Sequence, residues 1–113
     1  MDLIEKNIGE VCVLDFCGRL DAYSANDVEK KLDSLIEGGH IRLILNLDKL
    51  DYISSSGLRV FLAQLKKVRK QQGDVKLACM RPYIKEVFDI AGFTQLFSIF
   101  ETEDTAHGSF GAP

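Results

Sequence analysis

Three consecutive hydroxyls, Ser54, Ser55 and Ser56, precede Gly57 and an apolar-periodic run that starts at Leu58; they are the residues of this 113-residue chain best placed to do chemistry together. A serine acts as a nucleophile only when a base takes its proton. The two histidines, His40 and His107, stand just before a strand-like run and in the tail, and the Gly-x-Ser-x-Gly turn of serine hydrolases is absent. A serine can also accept a phosphoryl group. At a helix start such a phosphate lies beside backbone N–H groups that have no helical acceptor, at the positive end of the helix dipole. It adds about −1.5 to −2 charges. The plainer use of a serine there is as an N-cap, worth about 1 kcal/mol. One cap uses one serine, and this stretch has three.

Other candidates for chemistry are weaker. Gly38-Gly39 lacks the following Lys-Ser or Lys-Thr of a phosphate-binding loop. The pairs Asp48/Asp51 and Glu101/Glu103/Asp104 read as solvated charges rather than acid/base dyads or metal sites. Cys12 and Cys17 are five apart in a strand-like run, so they point to opposite faces, and with Cys79 they read as free, buried thiols. The expectation is therefore a protein that is not an enzyme, with no cofactor and no metal. A net charge of −3 and a pI near 5.3 argue against nucleic acid or an anionic membrane surface as the target. No apolar stretch approaches the roughly 20 residues of a membrane helix. The first residues, MDLIEKNIGE, carry early charges and no apolar signal core, which points to the cytoplasm.

The elements that must position the serines follow from pattern. Residues 3–8 and 11–17 read as strands, joined by Gly9-Glu10 as an antiparallel hairpin. Ala25, Val28, Leu32, Leu35 and Ile36 fall on one helical face. Ser24 is that helix's candidate N-cap with Asp27 three later, and Gly38-Gly39 its stop. Residues 41–47 are almost all apolar, as in a strand buried on both faces, and 48–53 form a loop. A second helix begins near Gly57 with Leu58, Phe61, Leu62, Leu65 and Val68 inward. A strand over 75–80 and a helix opened by Pro82, with Ile84, Val87, Phe88 and Ala91 inward, follow. A last strand spans 96–100. The order β-β-α-β-α-β-α-β implies an α/β fold: a mixed sheet of four to five strands with parallel crossovers and helices mainly on one face. One domain over 1–106 is expected, with 107–113 as a disordered tail.

Three stretches carry a resemblance: GRLDAYSA (18–25), ILNLDKLDYISSSGLRVFL (44–62) and FDIAGFTQLFSIF (88–100). Over about residues 4–104 the chain resembles the bacterial anti-sigma factor antagonists, the single-domain form of the STAS fold. The resemblance implies a protein that binds an anti-sigma factor with serine kinase activity and so releases a sigma factor, in partner-switching control of transcription. It places the phosphorylated serine at Ser55, with Ser54 and Ser56 as alternatives, and implies a phosphatase that resets it. Family members often carry an acidic residue just before that serine; here the position is Ser54. Asp21, Tyr23, Ser54, Ser56, Gly57 and Arg59 become the expected partner-binding residues, with Gly57 allowing close approach. Asp21 fits an Asx-type turn equally well. Two other readings are a non-phosphorylated STAS scaffold or accessory subunit of a transporter or stress-sensing complex, and a nucleotide-binding STAS protein.

Overall fold

The computed structural model describes residues 1–111. Two strands open the chain, β1 (Asp2–Ile8) and β2 (Val11–Leu20). They pair antiparallel from Ile8↔Val11 to Asp2↔Cys17, across a two-residue turn in which Gly9 takes a φ of 61°. That left-handed value suits a tight hairpin and a glycine. Then come α1 (Ala25–Glu37), β3 (Arg42–Asn46), β4 (Leu50–Ile53), α2 (Ser55–Arg69), β5 (Asp74–Ala78), α3 (Pro82–Ile90), β6 (Ser98–Phe100) and α4 (Glu103–Gly108).

The six-stranded sheet runs β1-β2-β3-β5-β6, with β4 added beside the end of β2. All pairings other than β1–β2 are parallel. The main core lies between one sheet face and α1, α2 and α3. Cys12, Leu14 and Phe16 of β2, Leu43 and Leu45 of β3 and Leu77 of β5 meet Leu32, Phe61, Leu65 and Phe88 there. A chain of aromatic contacts ties the layers: Phe16 to Phe61 at 5.3 Å edge-on, Phe61 to Phe88 at 6.3 Å and Phe88 to Phe97 at 5.9 Å. Burying such side chains contributes about 1.5–3 kcal/mol each. On the opposite face Ala106 of α4 packs on Val11, Val13, Ile44 and Ala78, with Phe110 beside it.

Several expectations need correction. The sheet has six strands, not four to five, because residues 50–53 form β4. Their burial pattern, in at both ends and out twice in the middle, lacks the alternation that marks a strand locally. The helix after it starts at Ser55, two residues before Gly57. Its inward face holds Val60 and Gln64, whereas Leu62 is half-buried. Ala91 is exposed at the end of α3. The last strand is shorter than 96–100, and Leu96 sits in the turn before it. Finally, α4 carries its helix through His107 to Gly108, and Phe110 folds back onto the sheet. The expected tail from 107 thus has defined structure as far as 111; Ala112 and Pro113 lie outside the described residues.

Candidate functional site

Strands β2 and β4 run parallel, so their C-terminal ends open at the same edge. Gly18 pairs with Leu50, Arg19 with Tyr52 and Leu20 with Ile53, and the register slips by one residue at Asp51. One more backbone bond, from Ser54 N–H to the Leu20 carbonyl at 2.9 Å, closes the ladder. Beyond it the two chains turn away, one through Asp21 into α1 and the other through Ser54 into α2. Two loop-to-helix transitions are thereby placed side by side at the carboxyl edge of a parallel sheet, where open α/β folds collect their binding groups.

The three serines have different tasks. Ser54 is the N-cap of α2: its backbone is extended (φ −91°, ψ 171°), and its Oγ accepts from Gly57 N–H at 3.2 Å. Its carbonyl accepts from Leu58 N–H at 3.0 Å. Ser55 is the first helical residue and is exposed, outside the cap; Ser56 is half-buried. The first turn of α2 holds no acidic residue, while Lys66, Lys67 and Arg69 occupy its last turn. The positive end of the dipole therefore has no carboxylate of its own helix on it, so a phosphoryl group on Ser55 would meet attraction there. Arg59 is exposed four residues on, on the same side of the helix as Ser55.

Gly57 packs against the strand ends. It is buried, and a Cβ placed on it would stand 2.7 Å from Leu20 Cγ and 3.0 Å from Ile53 Cγ1. The close approach expected at Gly57, of a partner or of the chain's own loop, is made here by Leu20 of β2. The absent side chain lets α2 start directly against the strand ends.

On the neighbouring loop, the Asx-turn reading of Asp21 matches the geometry. Its Oδ1 accepts from Tyr23 N–H at 3.0 Å and Ser24 N–H at 3.1 Å. These bonds, that from Ser24 foremost, hold its carboxyl below the usual carboxylate range. Ser24 stands at the N-cap of α1 but its side chain makes no capping bond. Its Oγ instead accepts from Asp21 N–H at 3.0 Å and donates to the Arg19 carbonyl at 2.9 Å, bracing the turn. Tyr23 projects from this turn, 94% exposed. A concavity beside it is lined by Met1, Leu3, Arg19, Asp21, Tyr23, Ser24, Asp27 and Val28. Arg19 was not legible as a site residue. Its guanidinium lies 4.3 Å from the centre of the Tyr52 ring, a cross-strand cation–π contact that only the β2–β4 pairing creates. Asp51 is tied to Arg81 at 3.4 Å, which links β4 to the start of α3.

Among the described residues no group of three or more His, Cys, Asp or Glu side chains could hold a metal ion. The cysteines are free, but only Cys12 is buried; Cys17 and Cys79 are half-buried. Burial pushes the Cys12 thiol up to about 11. No helix among the described residues is long and apolar enough to cross a membrane.

The profile of the STAS domain matches residues 4–106. The chain belongs to the STAS domain family. This STAS domain is 34% identical over 110 residues to the putative anti-sigma factor antagonist BtrV of Bordetella bronchiseptica, covering 97% of this chain and 95% of that protein. It is 33% identical over 97 residues to the anti-sigma-B factor antagonist of Bacillus subtilis, with 85% and 86% covered. Its fold is that of the Bacillus anti-sigma factor antagonist SpoIIAA at 21% identity: TM-score 0.85 to the unphosphorylated form (96% of each chain) and 0.76 to the phosphorylated form (96% of this chain, 99% of that one).

Proposed function

We propose that this STAS domain is an anti-sigma factor antagonist whose grip on its partner is switched by phosphorylation of Ser55. The partner is an anti-sigma factor that is also a serine kinase, and binding it frees a sigma factor to direct transcription. A phosphoserine phosphatase resets the switch. The observation that carries the reading is the division of labour in the serine run: Ser54 caps, Ser56 is half-buried, and Ser55 presents its hydroxyl at a helix start free of acidic residues. The serine in place of the family's acidic residue also becomes intelligible. Serine and aspartate cap about equally well, so Ser54 retains the cap while removing one negative charge next to the phosphate.

In this reading the rim a partner meets is made by Asp21 and Tyr23, on the turn after β2, and by Ser54, Ser56 and Arg59 at the start of α2. Phosphorylation acts by local charge. A dianion added there is absorbed by the helix end, so the fold survives, while a desolvated partner surface is repelled. The test is incubation with candidate anti-sigma kinases and ATP, the phosphate mapped by mass spectrometry, and partner affinity measured for wild type, Ser55→Ala, Ser55→Asp and the phosphorylated protein. Phosphate on Ser55, retained binding by Ser55→Ala and weaker binding by the charged forms are expected. Equal affinities for all forms, or phosphate on Ser54 or Ser56 alone, would defeat the proposal. A large change in circular dichroism on phosphorylation would refute the local-charge mechanism.

A further inference from the structure

A lysine is buried on the sheet face away from α1, α2 and α3. Lys76 of β5 is 7% exposed, with Ile44 and Ser98 as its neighbours across the sheet. None of the ion pairs among the described residues includes it. Its ammonium donates to Ser109 Oγ and lies 4.0 Å from the centre of the Phe110 ring and 5.7 Å from that of Phe100. Ser109 and Phe110 belong to the segment that follows α4, so the C-terminal segment supplies the lysine's hydrogen-bond acceptor and its nearest aromatic ring.

The same segment has little else to hold it. Ala106 covers Val11, Val13, Ile44 and Ala78. Lys6, itself exposed, reaches the half-buried Glu103 at 2.9 Å, and His107 Nε2 stands 3.4 Å from the Ile8 carbonyl; the other carboxylate oxygen of Glu103 is buried without a hydrogen-bond partner, which costs the closed form. Closing the segment onto the sheet sets two effects against each other. Burying Ala106 and Phe110 favours closure. Stripping water from an ammonium that gains no counter-ion opposes it, and the cation–π contact offsets only part of that cost. Desolvation also holds the Lys76 ammonium below the usual lysine value, with Asp74 acting the other way and Arg42 adding to the shift.

We propose that Glu103–Phe110 is a strap that opens as a unit from this sheet face, held shut by the burial of Ala106 and Phe110 and loosened by the buried Lys76 charge, while the layer of α1, α2 and α3 and the Ser54–Gly57 helix start stay folded. Opening bares Val11, Val13, Ile44 and Ala78 and frees the lysine. The strap works independently of the Ser55 switch, at the other face of the sheet.

The chain carries its own reporter. Acetylation by an N-hydroxysuccinimide ester, read residue by residue by mass spectrometry, follows Lys76 against the exposed Lys30, Lys66 and Lys70. In urea well below the unfolding transition, Lys76 of the wild type labels about tenfold or more faster than global unfolding permits. Phe110→Ala raises its labelling a further tenfold or so, with the reference lysines and circular dichroism unchanged. Lys76→Met removes the buried charge, so hydrogen exchange of the amides over 105–110 slows. Labelling of wild-type Lys76 only at the rate of global unfolding would overturn the strap. Faster exchange over 105–110 in Lys76→Met would overturn the loosening role of the buried charge. These two readouts decide even if Phe110→Ala does not fold.

Discussion

Replacing Gly57 with alanine puts a methyl group where the structure has no room. The new Cβ would stand 2.7 Å from Leu20 Cγ and 3.0 Å from both Leu20 Cδ2 and Ile53 Cγ1. Leu20 is fully buried and Ile53 is 3% exposed, so neither can swing into solvent to relieve the contact. Two effects compete. Alanine is favoured over glycine by at most about 1 kcal/mol in a helix interior, and by less at the third position of α2, where Gly57 sits. Overpacking a filled site costs about 1–3 kcal/mol. Packing wins, and the net loss is about 1–2 kcal/mol, which for a domain of this size lowers the melting temperature by about 4–8 °C per kcal/mol. Urea and thermal melts of wild type and Gly57→Ala measure it. Because the clash pushes α2 off the strand ends, partner affinity should fall together with stability and not ahead of it. A Gly57→Ala protein as stable as wild type, or more stable, would refute the packing account and return the glycine to the surface.

Leu65→Ala should cost about 2–5 kcal/mol, since the side chain is 2% exposed, and the half-buried Leu62→Ala distinctly less; equal urea midpoints would show the face of α2 to be misread. Ser54→Ala removes the cap of Gly57 N–H and should cost about 1 kcal/mol in the same melts. The lowered folded-state value of Asp21 means that its contribution is present above the ordinary carboxylate range and is lost as pH falls through its folded value. Asp21→Asn should therefore flatten the acid limb of a stability–pH profile below about pH 4, and an unchanged limb would remove the turn from the account. Cys12, with its thiol pushed up to about 11 and no exposed surface, should resist thiol reagents at neutral pH until the chain unfolds.

Local signals in the sequence determined much of this protein. The hairpin at Gly9-Glu10, the inward face of α1, the buried run of β3 and the proline that opens α3 each depend on neighbours within a few residues, so periodicity and turn chemistry sufficed to read them. The serine run was legible as a helix start for the same reason, and Asp21 as a turn, because an Asx bond closes over two or three residues. Other features depended on partners distant in the chain. Four residues with no alternation became β4 only because the end of β2 offered them a ladder. Val60 and Gln64 turned inward, and Leu62 partly out, because α1 and the sheet set the rotation of α2; an apolar stripe alone leaves that rotation open within a residue or so. Which serine caps and which presents its hydroxyl followed from where the β2–β4 ladder stops, at Ser54 N–H. The need for glycine at 57 came from a leucine 37 positions earlier, and the aromatic surroundings of Lys76 from a phenylalanine 34 positions later. Contacts of that kind carry no local pattern, because steric fit and desolvation are properties of surfaces that exist only once the chain has folded.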